Sequence, residues 1–294
     1  MTYLDIAARG KNAAWRYPVA VTLALAFTII FATGILAPLI LLRLAPPDFA
    51  QQMQQATAPG PFFIGTGVTF GALLAGFAAA IAIVHRKRFT DLLGVWRWDA
   101  LLKGIGLWGL ILVVTSLIDF ALAPTGFAVT AGAQTPLLFA LAIPALAVQT
   151  FAEELVFRGY VTQGVLLATR RPILAAVLSG LVFGSVHIPN GWPQAANAVA
   201  FGIVLAMIAI RTRGLAFGYG LHMINNLYGA VGVVSGGDVF RGSPGLFTQT
   251  TPHLMWWDAA MAAAALVAVA AAVMRRWVRL DDGPSMQPAT AAAG

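Results

Sequence analysis

The sequence predicts an all-α, polytopic membrane protein with about eight transmembrane helices and a polar cavity inside the membrane. Hydrophobic residues make up 59% of the 294 positions, charged residues make up only 10%, and the mean hydropathy is +0.81. This apolar share exceeds what is typical of a soluble domain. The bilayer is therefore the solvent in which the fold has to be explained.

Eight apolar stretches are long enough, or nearly so, to cross the hydrocarbon core, which takes about 20 residues of α-helix. The fifth and sixth are short, and Pro189, Pro193 and the Gly191–Trp192 pair separate them. A single broken element is thus an alternative to two spans, but two spans let positive charge alternate between loops. The predicted spans are residues 18–42, 62–84, 101–122, 136–157, 173–188, 195–210, 215–234 and 256–274.

Basic residues cluster in every second loop of this arrangement. Lysine and arginine favour cytoplasmic loops, and the intervening loops offer only Arg43 and Arg241. Both termini are therefore expected in the cytoplasm. The net charge of +7 comes from these short clusters, so no basic patch indicates a nucleic-acid partner. The clusters are Arg9, Lys11 and Arg16; Arg86, Lys87, Arg88, Arg97 and Lys103; Arg170 and Arg171; Arg211 and Arg213; and Arg275, Arg276 and Arg279.

Two adjacent carboxylates stand near the end of the fourth span. Glu153 and Glu154 are the only glutamates in the chain, and an ionisable residue inside a membrane is a candidate for function because its burial is costly. Neighbouring residues on a helix point about 100° apart, whereas residues four apart share a face. Glu154 is therefore expected to pair with Arg158 while Glu153 faces a cavity. The alternative is that both carboxylates only cap the span.

Two histidine motifs follow in later spans. The fifth span ends in Phe183 and His187, four residues apart, and the seventh carries His222 and Asn226 on one helix face. A lone intramembrane histidine is more often a hydrogen-bond partner between helices. Together with a carboxylate, however, two histidines and a carboxamide indicate chemistry.

The depths of these residues can be compared along the helices. If the fourth span continues as one tilted helix to Arg170, Glu153 and His187 each lie roughly 25 Å from the Arg170–Arg171 hairpin. They are then expected at one depth. His222 lies only about 13 Å from Arg213, so it meets them only if its helix begins deeper or tilts.

This set of groups predicts hydrolysis by activated water. Glu153 would act as general base, His187 would orient and help to deprotonate the water, and His222 with Asn226 would donate hydrogen bonds to the oxyanion. Two histidines and one glutamate around an open position also form a catalytic zinc set, with Glu153, His187 and His222 as ligands. The residues alone do not separate the two mechanisms, and we favour the one without a cofactor.

Three motifs in order carry a resemblance to a known family. Glu-Glu-x-x-x-Arg at 153–158, Phe-x-x-x-His at 183–187 and His-x-x-x-Asn at 222–226 resemble those of the CAAX prenyl protease and bacteriocin-processing (CPBP or Abi) family. That family is similar to the type II CAAX endopeptidase and includes members described as metalloproteases and as glutamate-dependent proteases. The resemblance implies Glu153, His187, His222 and Asn226 as catalytic residues and Glu154 and Arg158 as supporting residues.

The resemblance also implies a division of the chain. Residues 1–134 would be an N-terminal region of three spans, 135–235 the catalytic core of four spans, and 236–280 a C-terminal span. The tail at 281–294 is rich in alanine, proline and serine and is expected to be disordered.

The implied function is intramembrane proteolysis in a bacterial cytoplasmic (inner) membrane. A membrane-embedded or lipidated peptide or protein would enter from the bilayer between helices, and the site would open towards the cytoplasmic half. A transporter or scaffold that uses the same polar residues as a proton relay or packing network is the competing hypothesis. A family member that has lost activity is a third.

Overall fold

The computed structural model describes residues 2–250, 255–276, 278 and 280. The predicted disordered tail at 281–294 lies outside the described residues. Helices dominate the described part, which confirms the predicted all-α membrane fold. The α-helices are α1 (Tyr3–Ala7), α2 (Arg16–Leu41), α3 (Phe49–Gln52), α4 (Pro59–His85), α5 (Thr90–Leu93), α6 (Trp98–Leu122), α7 (Thr135–Glu153), α8 (Thr162–Thr169), α9 (Pro172–Ser185), α10 (Trp192–Thr212), α11 (Ala216–Leu227) and α12 (Met255–Met274).

Each of the eight predicted spans coincides with a helix, but not all are long enough to span a membrane alone. Six helical stretches of the described part meet the length and apolarity needed for a span. The other two are α9, with 14 residues, and α11, with 12 residues. At 1.5 Å per residue α9 reaches about 21 Å, less than the roughly 30 Å of a hydrocarbon core. The six are Arg16–Leu41, Pro59–His85, Trp98–Leu122, Thr135–Thr169, Trp192–Thr212 and Trp256–Met274.

The fourth span, predicted at 136–157, continues as one helix from Thr135 to Thr169, which meets the condition set for Glu153 and His187 to lie at one depth, but its middle is not α-helical. A π-helical segment at Glu154–Val161 joins α7 to α8, and a second one at Tyr228–Gly232 extends α11. π-helical turns are rare and occur often at functional sites. The first of them begins at the second glutamate of the pair.

The basic loops meet at one end of the helix bundle, which we call the basic face. The chain around Gly94 forms an antiparallel bridge with Gly214, between the loops that precede α6 and α11. Arg9 forms an ion pair with Asp91 at 2.8 Å, and Arg97 donates to the carbonyl of Leu280. These contacts tie together the loops before α2, α6 and α11 and after α12.

The opposite end of the bundle, which we call the sheet face, carries a small sheet that the sequence did not predict. Its strands are β1 (Phe127–Val129), β2 (Val233–Ser235) and β3 (Phe247–Gln249), in the order β1-β3-β2. β1 pairs antiparallel and β2 parallel with β3. The sheet gathers the loops that follow α6 and α11.

Small residues let α9 and α10 pack at very short distance. A Cβ atom added to Gly202 would lie 2.4 Å from the Cα of Gly180, and one added to Gly184 would lie 2.2 Å from a methyl group of Val199. Close approach through small residues is the usual way in which membrane helices associate. The packing fixes the position of Phe183 and of His187 just beyond the end of α9.

Candidate active site

The site is built on a buried ion pair. The Nη1 atom of Arg158 lies 3.2 Å from the Oε1 atom of Glu154, with both side chains almost fully buried. The pairing follows the i, i+4 spacing, as predicted. The guanidinium also lies over the ring of Phe183 at 4.2 Å, and the hydroxyl of Tyr3 donates to the backbone carbonyl of Arg158 at 2.9 Å.

The imidazole of His222 lies between the two glutamates. Its Nδ1 atom is 2.9 Å from Glu154 Oε1, and its Nε2 atom is 3.4 Å from Glu153 Oε2. The sequence placed Glu154 only beside Arg158, so this second contact of Glu154 was not predicted. The structure thus brings Glu153, Glu154, Arg158 and His222 together in one cluster.

His222 reaches this depth because α11 begins well inside the bundle. A Cβ atom added to Gly159 would lie 3.5 Å from Leu215 Cδ1, so these two residues are level with each other. Along its helix Glu153 lies about 9 Å from Gly159, and His222 lies about 10 Å from Leu215 in the same direction. The two side chains therefore lie at a similar depth. The backbone N–H of Leu215 donates to the carbonyl of Leu93 at 3.1 Å, which holds the start of α11 against the end of α5.

The cluster combines two carboxylates, one guanidinium and one imidazole. The buried Arg158 pairs with Glu154, and burial of a charge is costly unless it is paired in this way. The Nδ1 atom of His222 donates to Glu154 Oε1, whereas its Nε2 atom lies 3.4 Å from Glu153 Oε2 without a hydrogen bond.

His187 is held at the end of α9 by its own helix. Its Nδ1 atom lies 2.8 Å from the carbonyl of Phe183, to which it can only donate, so Nε2 is left as an acceptor. The rings of Phe183 and His187 are tilted by 60° with centroids 4.5 Å apart, and the ring of Phe183 meets that of His222 edge-on at 5.8 Å. Phe183 therefore lies between the two imidazoles, and no hydrogen bond within the described residues joins them.

A chain of hydrogen bonds orients the carboxamide of Asn226. Trp108 Nε1 donates to Asn225 Oδ1 at 3.0 Å, and Asn225 Nδ2 donates to Asn226 Oδ1 at 3.2 Å. The amide nitrogen of Asn226 is thereby left to donate to another group. Trp108 was not among the predicted site residues, although a tryptophan in the middle of a span rather than at an interface was a usable signal.

His187, His222 and Asn226 line one polar cavity of about 120 Å³. Gln149 is part of the same wall, and its Nε2 atom lies 3.5 Å from Glu153 Oε1. Glu153 itself lies directly behind this wall with 8% of its surface exposed. Its Oε2 atom is buried and has no hydrogen-bond partner among the described residues.

The described residues do not fit a zinc site in this arrangement. Both ring nitrogens of His222 face carboxylates, and Nδ1 of His187 is held by a carbonyl. Within the described residues, no group of three or more histidine, cysteine, aspartate or glutamate side chains is placed to hold a metal ion. The predicted ligand set of Glu153, His187 and His222 is not gathered around one point.

The cavity opens at the sheet face. Asn190 and Val239, which are exposed, stand on its wall, and both belong to loops of that end of the bundle. The opening was expected towards the cytoplasmic half, where the basic loops are predicted to lie, whereas the cavity opens at the end of the bundle away from those loops. The reason is that α1 packs beneath the site, where Tyr3 is 2% exposed.

Comparison with known proteins shows a family to which these residues are similar. Residues 133–228 match the family model described as type II CAAX prenyl endopeptidase Rce1-like. The chain is 24% identical over 262 residues to the uncharacterized protein YyaK of Bacillus subtilis (strain 168), which covers 84% of this chain and 87% of that protein. No solved structure gives a significant match. The segment that holds the site, residues 133–228, is therefore similar to the type II CAAX prenyl endopeptidase Rce1-like family.

Proposed function

We propose that this protein is an intramembrane endopeptidase that hydrolyses a peptide bond of a membrane-associated or lipidated polypeptide. The observation that carries the proposal is the imidazole of His222 held between Glu153 and Glu154 beside a polar cavity. One oxygen of Glu153 has no hydrogen-bond partner among the described residues. A carboxylate beside a polar cavity is placed to act as a general base.

The first step is activation of water. Glu153 accepts a proton from a water molecule in the cavity as general base. The Nε2 atom of His187, left as an acceptor by the bond from Nδ1 to the Phe183 carbonyl, accepts a hydrogen bond from the same water and orients it. The hydroxide then attacks the carbonyl carbon of the peptide bond, so no covalent intermediate forms.

The second step is stabilisation of the oxyanion and departure of the amine. The amide nitrogen of Asn226 and the protonated Nε2 of His222 donate hydrogen bonds to the oxyanion. Glu154 supports this role because it accepts from His222 Nδ1 at 2.9 Å and thereby fixes the ring. Glu153 returns its proton to the departing amine.

The proton-relay hypothesis is less well supported by the same geometry. A relay needs titratable or hydrated groups that lead to both faces of the membrane. Below Arg158 lies an apolar cluster that includes Ile6, Leu166 and Leu215, and the buried polar side chain beside it, Gln163, is a non-titratable amide bonded to the carbonyl of Asp91. A hydrolase needs access from one side only.

The test is cleavage of a panel of prenylated, acylated and unmodified membrane peptides by the purified protein. Glu153→Gln and His187→Ala are expected to abolish cleavage while they remain folded in detergent. Activity that persists in a chelator supports metal-free hydrolysis, whereas loss in the chelator and recovery with zinc favours a metal mechanism. Equal cleavage by Glu153→Gln and the wild type contradicts the proposal.

A further inference from the structure

We infer that the catalytic cavity is entered from the sheet face and that this face lies outside the cytoplasm. The protein would then cut polypeptides that present their cleaved bond at the outer surface of the membrane. The statement about cleavage rests on the proposed function, whereas the statement about access does not.

The sheet-face end of the cavity is lined by exposed loop residues. Asp238 lines the catalytic cavity and also two neighbouring cavities of about 210 and 620 Å³. Asn190 and Val239 line both the catalytic cavity and the larger neighbour, and both are exposed. The exposed side of the catalytic cavity is therefore at these loops, on the sheet-face side of His187 and His222.

The basic-face end of the cavity is closed by two layers. The first is the buried pair of Glu154 and Arg158. The second is an apolar cluster in which Tyr3 and Ile6 of α1 pack against residues of α8, α9 and α10 and against Leu215. The hydroxyl of Tyr3 reaches the carbonyl of Arg158 at 2.9 Å, so the two layers touch. A peptide has no route through them unless α1 is displaced.

Charge assigns the two faces to the two sides of the membrane. Loops rich in lysine and arginine stay in the cytoplasm, and such loops meet at the basic face, with Arg170 and Arg171 between α8 and α9 as one example. The described loops of the sheet face carry only Arg43 and Arg241. The open end of the cavity is thus on the side away from the cytoplasm.

The absence of cysteine from the chain makes the test direct, because every introduced cysteine is the only thiol. Asn190→Cys and Val239→Cys report the rim of the cavity, and Arg171→Cys reports the basic face at another exposed position. Ala206→Cys, fully buried in α10, is the unreactive control. Each variant is treated with a membrane-impermeant maleimide in right-side-out and in inside-out vesicles, and total thiol is measured after denaturation.

We expect the two rim cysteines to react at least about tenfold faster in right-side-out vesicles and Arg171→Cys to show the reverse preference. Reaction of the rim cysteines only in inside-out vesicles overturns the inference, and so does reaction of all three cysteines on one side. A tethered reporter with its cleavable segment on the outer or the inner side then tests the site of cleavage. If the labelling is as expected and neither reporter is cut, access is supported and the proposed proteolysis fails.

Discussion

The buried pair of Glu154 and Arg158 gives the most quantitative prediction. The two side chains are 1% and 0% exposed and 3.2 Å apart, so removal of either partner leaves an uncompensated charge in the protein interior. Such a loss costs about 3–5 kcal/mol, whereas replacement of both partners by uncharged residues of similar volume is often nearly neutral. Glu154→Gln and Arg158→Met are therefore each expected to lower the free energy of unfolding by about 3–5 kcal/mol.

The double variant decides whether the charges are coupled. Combined, Glu154→Gln and Arg158→Met are expected to recover several kcal/mol relative to the sum of the single changes. Unfolding is followed by tryptophan fluorescence as SDS is titrated into detergent micelles. Asp99 and Lys103 form the matched control, since they have the same i, i+4 spacing at 3.3 Å but are about half exposed, and such pairs contribute under about 1 kcal/mol. Additive losses at the buried pair would refute the reasoning.

Three further changes test other parts of the account. Gly202→Ala would place a Cβ atom 2.4 Å from the Cα of Gly180 and should lower the free energy of unfolding by about 1–3 kcal/mol. In the control Gly106→Ala, the added Cβ atom has nothing within 4 Å, so the melting temperature should be unchanged or slightly raised. Trp108→Phe removes the indole N–H that donates to Asn225. The kcat for peptide cleavage should fall about tenfold, which corresponds to about 1.4 kcal/mol, and KM should not change. A change in KM alone would contradict a positioning role for Trp108. Burial lowers the pKa of Lys87 from 10.5 to about 8, so between those pH values the unfolded chain binds more protons than the folded protein, and the free energy of unfolding should rise with pH. Lys87→Met should abolish that rise. A variant with the same pH profile as the wild type would contradict the assignment of the rise to Lys87.

The helices were predictable because their signals are long. Apolar stretches of about 20 residues and the alternation of basic loops were enough to locate eight helices and the unbroken fourth one. The strands were not, since each has three residues and too few positions to show a period of two. The π-helical segment at Glu154–Val161 also leaves no mark in the sequence, because its hydrogen bonds depend on how the helix packs.

The site was predictable where it depends on spacing within one helix. The contact of Glu154 with Arg158 follows from their four-residue separation. The contact of Glu154 with His222 depends on how deep α11 begins, which is set by the bond from Leu215 to the carbonyl of Leu93 and is invisible in the sequence. The direction of the opening depends in the same way on α1, whose packing beneath Arg158 no local pattern indicates.

The central claim is that Glu153 activates water for peptide hydrolysis inside the membrane. The most direct measurement is mass spectrometry of the products of a cleaved reporter in ¹⁸O-water, with the wild type and the Glu153→Gln variant in the same vesicles. We expect the wild type to give one pair of products with a single ¹⁸O in the new carboxyl terminus and the variant, folded equally well, to give none. Cleavage by Glu153→Gln at the rate of the wild type, or products without ¹⁸O, would contradict the account.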